Sequence, residues 1–250
     1  MSELDVKQVE AVAVLTLDRP KRRNAIGAEV ISDLAQVLAR LDADASVHAI
    51  VLTGTAPGFC AGSDLKELAG TDLAGMMAHE AHTAAVARSI ALMSTPVVAA
   101  VDGFALGGGF VLAISCDVVV SSAAARWHLP EVTIGWIPPW GLQTVVARVG
   151  PVAARRLTWG AEAFDGREAH RLGIADYLVA EGESVLEAAL SHAGRLAALP
   201  PPAVASTKQF FAPMAAGAGE AADAWANRLF AGDCAHPVAK ATLARFGVKS

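Results

Sequence analysis

The sequence predicts an α/β protein with parallel strands and a helical C-terminal region, and three observations carry that reading. Short β-branched runs alternate with amphipathic stretches. The strand signal stops after about Val185. The apolar content comes from small aliphatic residues: the 250 residues are 54% hydrophobic but 6% aromatic and 18% charged, which suits a core of Ala, Val and Leu on packed layers.

Val12 to Leu17 is a short β-branched run closed by Asp18, Arg19 and Pro20, a strand entering a loop. Val30, Ile31, Leu34, Val37, Leu38 and Leu41 then recur at helical spacing, which predicts a helix from about Ala28 to Asp42. Ala49 to Gly54 reads as a buried strand ended by glycine. The alternation repeats with Pro96 to Gly103, a helix opening near Gly107, and Cys116 to Ser122. Beyond Val185 only helical runs follow, separated by Pro200 to Pro202 and by Gly217 to Gly219. The expected division is a core over 1–190 and a helical region over 191–250.

A net charge of −5 and a pI near 5.8 give no basic field for nucleic acid. Cys60, Cys116 and Cys234 are too few for a disulfide framework or a zinc knuckle, which fits a reducing cytoplasm. The N-terminal "MSELDVKQVEAV" carries acids where an export signal has a positive region. Pro96 to Cys116 is apolar enough to suggest a membrane span, but Asp102 and the Gly107–Gly108–Gly109 run argue against one.

Three segments carry candidate chemistry. In "GFCAGSDLKEL" (58–68) a glycine-bearing turn runs from a strand into a short helix and leaves backbone N–H groups free for an anion; an ordinary strand-to-helix turn reads the same way. In "DGFALGGGFVLAISCD" (102–117) three glycines open a helical run. Each costs about 1 kcal/mol against alanine inside a helix, so close backbone approach, with N–H groups facing an oxyanion, is the better use. In "WHLPEVTIGWIPPWG" (127–141) Glu131 sits among Trp127, Leu129, Val132 and Ile134, as either a solvated loop acid or a carboxyl tuned for proton transfer.

In this order and spacing, with "DRPKRRNAI" before them, the segments resemble the crotonase superfamily, the enoyl-CoA hydratase/isomerase family, from about Val12 to Val179. The resemblance implies a spiral of ββα units with a helical C-terminal trimerisation region, a CoA-ester-binding core, and a homotrimer or homohexamer. It implies an acyl-CoA substrate, with coenzyme A as part of that substrate and no separate cofactor or metal. It makes the backbone amides of Ser63 and Gly108 an oxyanion hole and Glu131 the acid/base. Substrate contact falls to Arg22, Ala61, Ser63, Asp64, Leu65, Lys66, Gly108, Val111, Pro139 and Trp140, with Lys66 facing phosphate and Lys21 a weaker candidate.

Two departures bear on the reaction. The family's hydratases place a glutamate two residues after the glycine triplet, where this sequence has Val111, and a glycine eight residues after the second glutamate, where it has Pro139. Proline has no N–H. A single carboxylate, Glu131, is thus the expected acid/base, which favours a double-bond shift in an enoyl-CoA. The alternatives are a hydratase that recruits its second acid elsewhere, such as His128, and a non-catalytic homologue that binds CoA.

His79, Glu80 and His82 lack H-E-x-x-H metal spacing and read as a solvated helix face. "AGSDL" is not a nucleophile elbow. Asp102 and Asp117 read as strand-end caps.

Overall fold

The computed structural model describes residues 3–247. Its main sheet has six strands in the order β1 (Leu4–Val9), β2 (Val12–Leu17), β3 (Ala49–Gly54), β4 (Val97–Val101), β6 (Val118–Ser122) and β8 (Tyr177–Val179). From β2 onward every neighbouring pair is parallel. β1 departs from the expected all-parallel order: it pairs with β2 antiparallel, through the tight turn at Glu10, whose φ is 53°. A second small sheet pairs β5 (Phe104–Leu106) with β7 (Arg126–His128), also parallel, and Cys60 bridges to Ala105 on its edge. Two successive turns of the chain, from β4 and from β6, therefore lay one strand in the large sheet, one in the small sheet, and then a helix.

The helices of the core are α1 (Ala28–Ala43), the short α2 (Leu65–Leu68), α3 (Leu73–Leu92), α4 (Gly108–Ile114), α5 (Leu142–Thr158) and α6 (Gly166–Arg171). Strands β3 and β4 bury both faces, so they are continuous apolar runs rather than alternating ones. One face packs on α1, α3 and α4 through Leu34, Leu38, Ile90 and Phe110. The other face packs on α7 (Val185–Ala197) through Val185, Ala189 and Ala193. α7 thus spans residue 190, and the purely helical layer begins after it with α8 (Pro201–Ala216), α9 (Gly219–Asp233) and α10 (Pro237–Gly247).

That layer folds back on its own core. Asp223 of α9 forms an ion pair with Arg88 of α3 and accepts a 2.7 Å hydrogen bond from the Gly141 amide. Asp233 accepts from Ile137 N at 2.9 Å, Asn227 donates to the Met77 carbonyl, and Thr242 of α10 donates to the Ile134 carbonyl. The C-terminal helices therefore clamp the segment from Glu131 to Gly141. Because Asp223 is 6% exposed, Asp223→Ala leaves Arg88 unpaired beside a loosened Gly141 corner. We expect a loss of about 3 kcal/mol, read as a lower thermal midpoint. Among the described residues no helix is long and apolar enough to cross a membrane.

Candidate active site

The sequence places glycine where two chain segments meet. Gly62, at φ +87°, lies so close to α4 that a Cβ there would stand 2.9 Å from the Gly108 nitrogen. A Cβ on Gly108 would in turn lie 3.7 Å from the Ser63 nitrogen. The amides of Ser63 and Gly108 are therefore neighbours, and among the described residues neither has a backbone acceptor. Gly108 is the first residue of α4, so its N–H has no partner within the helix and carries the positive end of the dipole. The Gly107 amide is spent on the His128 carbonyl at 2.9 Å.

Glu131 begins a 3-10 turn, Glu131–Ile134, directly after Pro130. It is 8% exposed, so it is not the solvated loop acid that its neighbours allowed. Its Oε1 stands over Gly107, where a Cβ, from a φ of +54°, would be 2.9 Å away. Its Oε2 is buried and has no hydrogen-bond partner. Burial pushes the carboxyl up from 4.5 to about 8, the charge of Glu80 adds to that rise, and a hydrogen bond from its own amide opposes it.

Glu80 overturns two expectations. It is not on a solvated helix face: it is 3% exposed and lines the same cavity as Glu131. The site therefore does not have a single carboxylate. Glu80 Oε2 accepts a 2.8 Å hydrogen bond from Trp140 Nε1. Burial raises its proton affinity, against the opposing influence of His79 and of hydrogen bonds from Ser63 and Trp140. Sequence reasoning placed it in water because the exposed side of this helix is itself rich in alanine and gives no polar face to contrast with. The signal was there: α3 buries Met76, Glu80, Thr83, Ala84, Ala87 and Ile90 at helical spacing, and Glu80 is the acid on that stripe.

The cavity encloses about 70 Å³ and gathers Ala61, Ser63, Leu65, Gly108, Val111, Glu131, Pro139 and Trp140 from the expected set. Val111 is 2% exposed and leaves the wall apolar where it stands. Leu68, Met76, Trp136, Phe230 and Leu243 close the far end, with the rings of Trp136 and Phe230 edge to face at 5.8 Å. Asp64, Arg22 and Lys66 lie outside the cavity. Asp64 caps α2 by accepting from the amides of Lys66 and Glu67, and it also meets Arg19 and Arg22. Arg22, at the end of the 3-10 turn Pro20–Arg22, and Lys66 of α2 are both exposed.

His128, considered above as a second acid, is not in the cavity; its Nε2 pairs with the Gly160 carbonyl at 2.8 Å. The thiols of Cys60 and Cys116 are pushed up to about 12 by burial, so neither supplies a thiolate. Among the described residues no three His, Cys, Asp or Glu side chains stand close enough to hold a metal ion.

Fold and cavity together define an α/β protein in which two neighbouring backbone amides and two buried carboxyl groups line one small, largely apolar chamber. A family profile described as "Enoyl-CoA hydratase/isomerase" matches residues 7–246. The "2,3-dehydroadipyl-CoA hydratase" of Escherichia coli is 37% identical over 210 residues, 84% of this chain and 81% of that protein. The "Short-chain-enoyl-CoA hydratase" of Clostridium acetobutylicum is 34% identical over 205 residues, 79% of this chain and 76% of that one. The crystal structure of an enoyl-CoA hydratase/isomerase from Mycobacterium paratuberculosis superposes with a TM-score of 0.88 at 26% identity, over 98% of each chain. The chain belongs to the enoyl-CoA hydratase/isomerase family of the crotonase superfamily.

Proposed function

We propose that this protein adds water across the α,β double bond of a 2-enoyl-CoA, and removes it in the reverse direction. The observation that supports this reading most is the pairing of two buried carboxyl groups, Glu131 and Glu80, with the adjacent amides of Ser63 and Gly108 in one chamber. Two amides aimed at the thioester oxygen stabilise an enolate more than a neutral carbonyl, and one such donor is worth about 3 kcal/mol. The relatives named as hydratases favour water addition over the double-bond shift expected from a lone glutamate. The small chamber closed by Trp136 and Phe230 suits a short acyl group, and Lys66 with Arg22 stands outside it for the CoA phosphates.

One observation keeps the double-bond shift as the second reading: Pro139 has no N–H to hold a water. The two part in a simple assay. Hydration consumes crotonyl-CoA, with loss of the conjugated thioester absorbance, at a rate on the order of 10 per second. An isomerase leaves crotonyl-CoA untouched and forms it from 3-butenoyl-CoA. No turnover of either, with CoA esters still bound, is the outcome for a non-catalytic homologue.

The same reading includes assembly as a homotrimer or a homohexamer in a reducing cytoplasm. Phe210, Phe211, Met214, Trp225 and Leu229 are all exposed on α8 and α9, and a subunit neighbour would cover them. Light scattering that gives a stable monomer at micromolar concentration would count against the assembly.

A further inference from the structure

We propose that Glu80, carried on α3, is a catalytic residue: it is the base that takes a proton from the attacking water, while Glu131 delivers a proton to Cα. This assignment rests on the hydratase reading above.

Four observations converge on it. Glu80 is a carboxyl group buried in the wall of the chamber rather than in the general core. Its charge acts on Glu131, so the two acids share one electrostatic environment. Val111 offers no ionisable group there, and His128 is turned away to Gly160. Finally, the two acids differ in their donors. Glu80 receives the Trp140 indole N–H at 2.8 Å and is within hydrogen-bonding influence of Ser63, whereas Glu131 Oε2 has no partner. Donors favour the ionised form. The donors on Glu80 thus suit it to the role of base, and their absence at Glu131 Oε2 suits Glu131 to the role of acid.

The step balances with water as the sole co-substrate. Glu80 accepts a proton from water as the water oxygen bonds to Cβ, and the π electrons move through Cα to the thioester oxygen, an enolate held by the Ser63 and Gly108 amides. The enolate collapses as Cα takes the proton of Glu131. H and OH have been added, the proton now resides on Glu80, and its return to Glu131 through solvent resets the pair.

A purely structural role, with Glu80 serving only to anchor Trp140, is the competing account. Glu80→Gln separates them because the glutamine carbonyl still accepts from Trp140 Nε1. The expected result is a fall in the kcat for crotonyl-CoA hydration of at least about 100-fold, with KM changed less than threefold and the thermal midpoint and tryptophan fluorescence retained. Exchange of the Cα hydrogen of butyryl-CoA with deuterated solvent, which needs only Glu131 and the amides, should persist within about fivefold. Hydration in Glu80→Gln within threefold of the unsubstituted enzyme overturns the assignment and leaves the hydratase reading standing. Parallel loss of hydration and exchange overturns it in favour of the anchoring role. If the unsubstituted enzyme exchanges the Cα hydrogen but does not hydrate crotonyl-CoA, the hydratase reading falls and takes this assignment with it.

Discussion

Glu131→Gln should lower kcat by about 10³-fold or more while changing the KM for an enoyl-CoA little. Removing a positioned acid/base costs in the range of 10² to 10⁴, and the upper half applies because Glu131 lines the cavity with Oε1 over Gly107, next in sequence to the Gly108 amide. Glutamine keeps the shape and retains a carbonyl oxygen, and it leaves the amides of Ser63 and Gly108 in place, so thioester binding survives. Deuterium exchange at Cα should fall with kcat, in contrast to Glu80→Gln. Steady-state kinetics with crotonyl-CoA and the exchange reaction with butyryl-CoA check both statements. An Glu131→Gln enzyme retaining a tenth of the original kcat would remove Glu131 from the chemistry.

The second large effect is on stability. The Glu131 carboxyl titrates near 4.5 in an unfolded chain but is raised to about 8 by burial in the folded one, and Glu80 is raised as well. Between those values the folded state holds a proton that the unfolded state has released. Folding stability therefore falls as pH rises from about 4.5 to about 8 and levels off above that. At roughly 1.4 kcal/mol per unit of pH for one proton, the loss is on the order of a few kcal/mol. The lowered value of His192 acts in the opposite sense at mildly acidic pH, but it is common to the enzyme and its variants and cancels in their comparison. The urea midpoint should drop between pH 5 and pH 8, the drop should be smaller in Glu131→Gln, and smallest in the double variant with Glu80→Gln. An identical pH slope in all three would mean that neither carboxyl is protonated in the folded enzyme at neutral pH.

The buried carboxyl groups are thus a cost to folding at neutral pH that the rest of the molecule offsets. That pattern explains which parts of the site were legible in the sequence. Glycines are legible because they mark backbone approach: Gly107 to Gly109 pointed to a close backbone contact, and Gly62 of a second segment lies against Gly108. Glu131 was half legible, since its neighbours allowed a solvated loop acid as well as a tuned carboxyl, and the family resemblance decided between them. Glu80 was not, because the exposed side of α3 is rich in alanine and the contrast between its two faces is weak. What sends it inward is tertiary: the Trp140 indole arrives from a loop 60 residues away.

In the fold, the β-branched runs at Val12, Ala49 and Val118 became parallel strands because each is flanked by helices that cover the sheet. β1 escaped notice because it is short and exposed along much of its length, held to β2 by backbone pairing rather than by an apolar face. The partner of the C-terminal helices was also beyond local pattern. Asp223 and Asp233 hold the Glu131 to Gly141 segment, and Asn227 holds α3, through bonds to residues 82 or more positions away in sequence.

The most direct measurement of the whole account is a crystal structure of Glu131→Gln soaked with crotonyl-CoA, since the slowed enzyme retains its substrate. The account places the thioester oxygen about 3 Å from both the Ser63 and Gly108 nitrogens, with Cα beside residue 131 and Cβ, with a water, on the side of Glu80. A thioester oxygen held elsewhere, or an acyl group lying away from the wall between the two acidic positions, would contradict it.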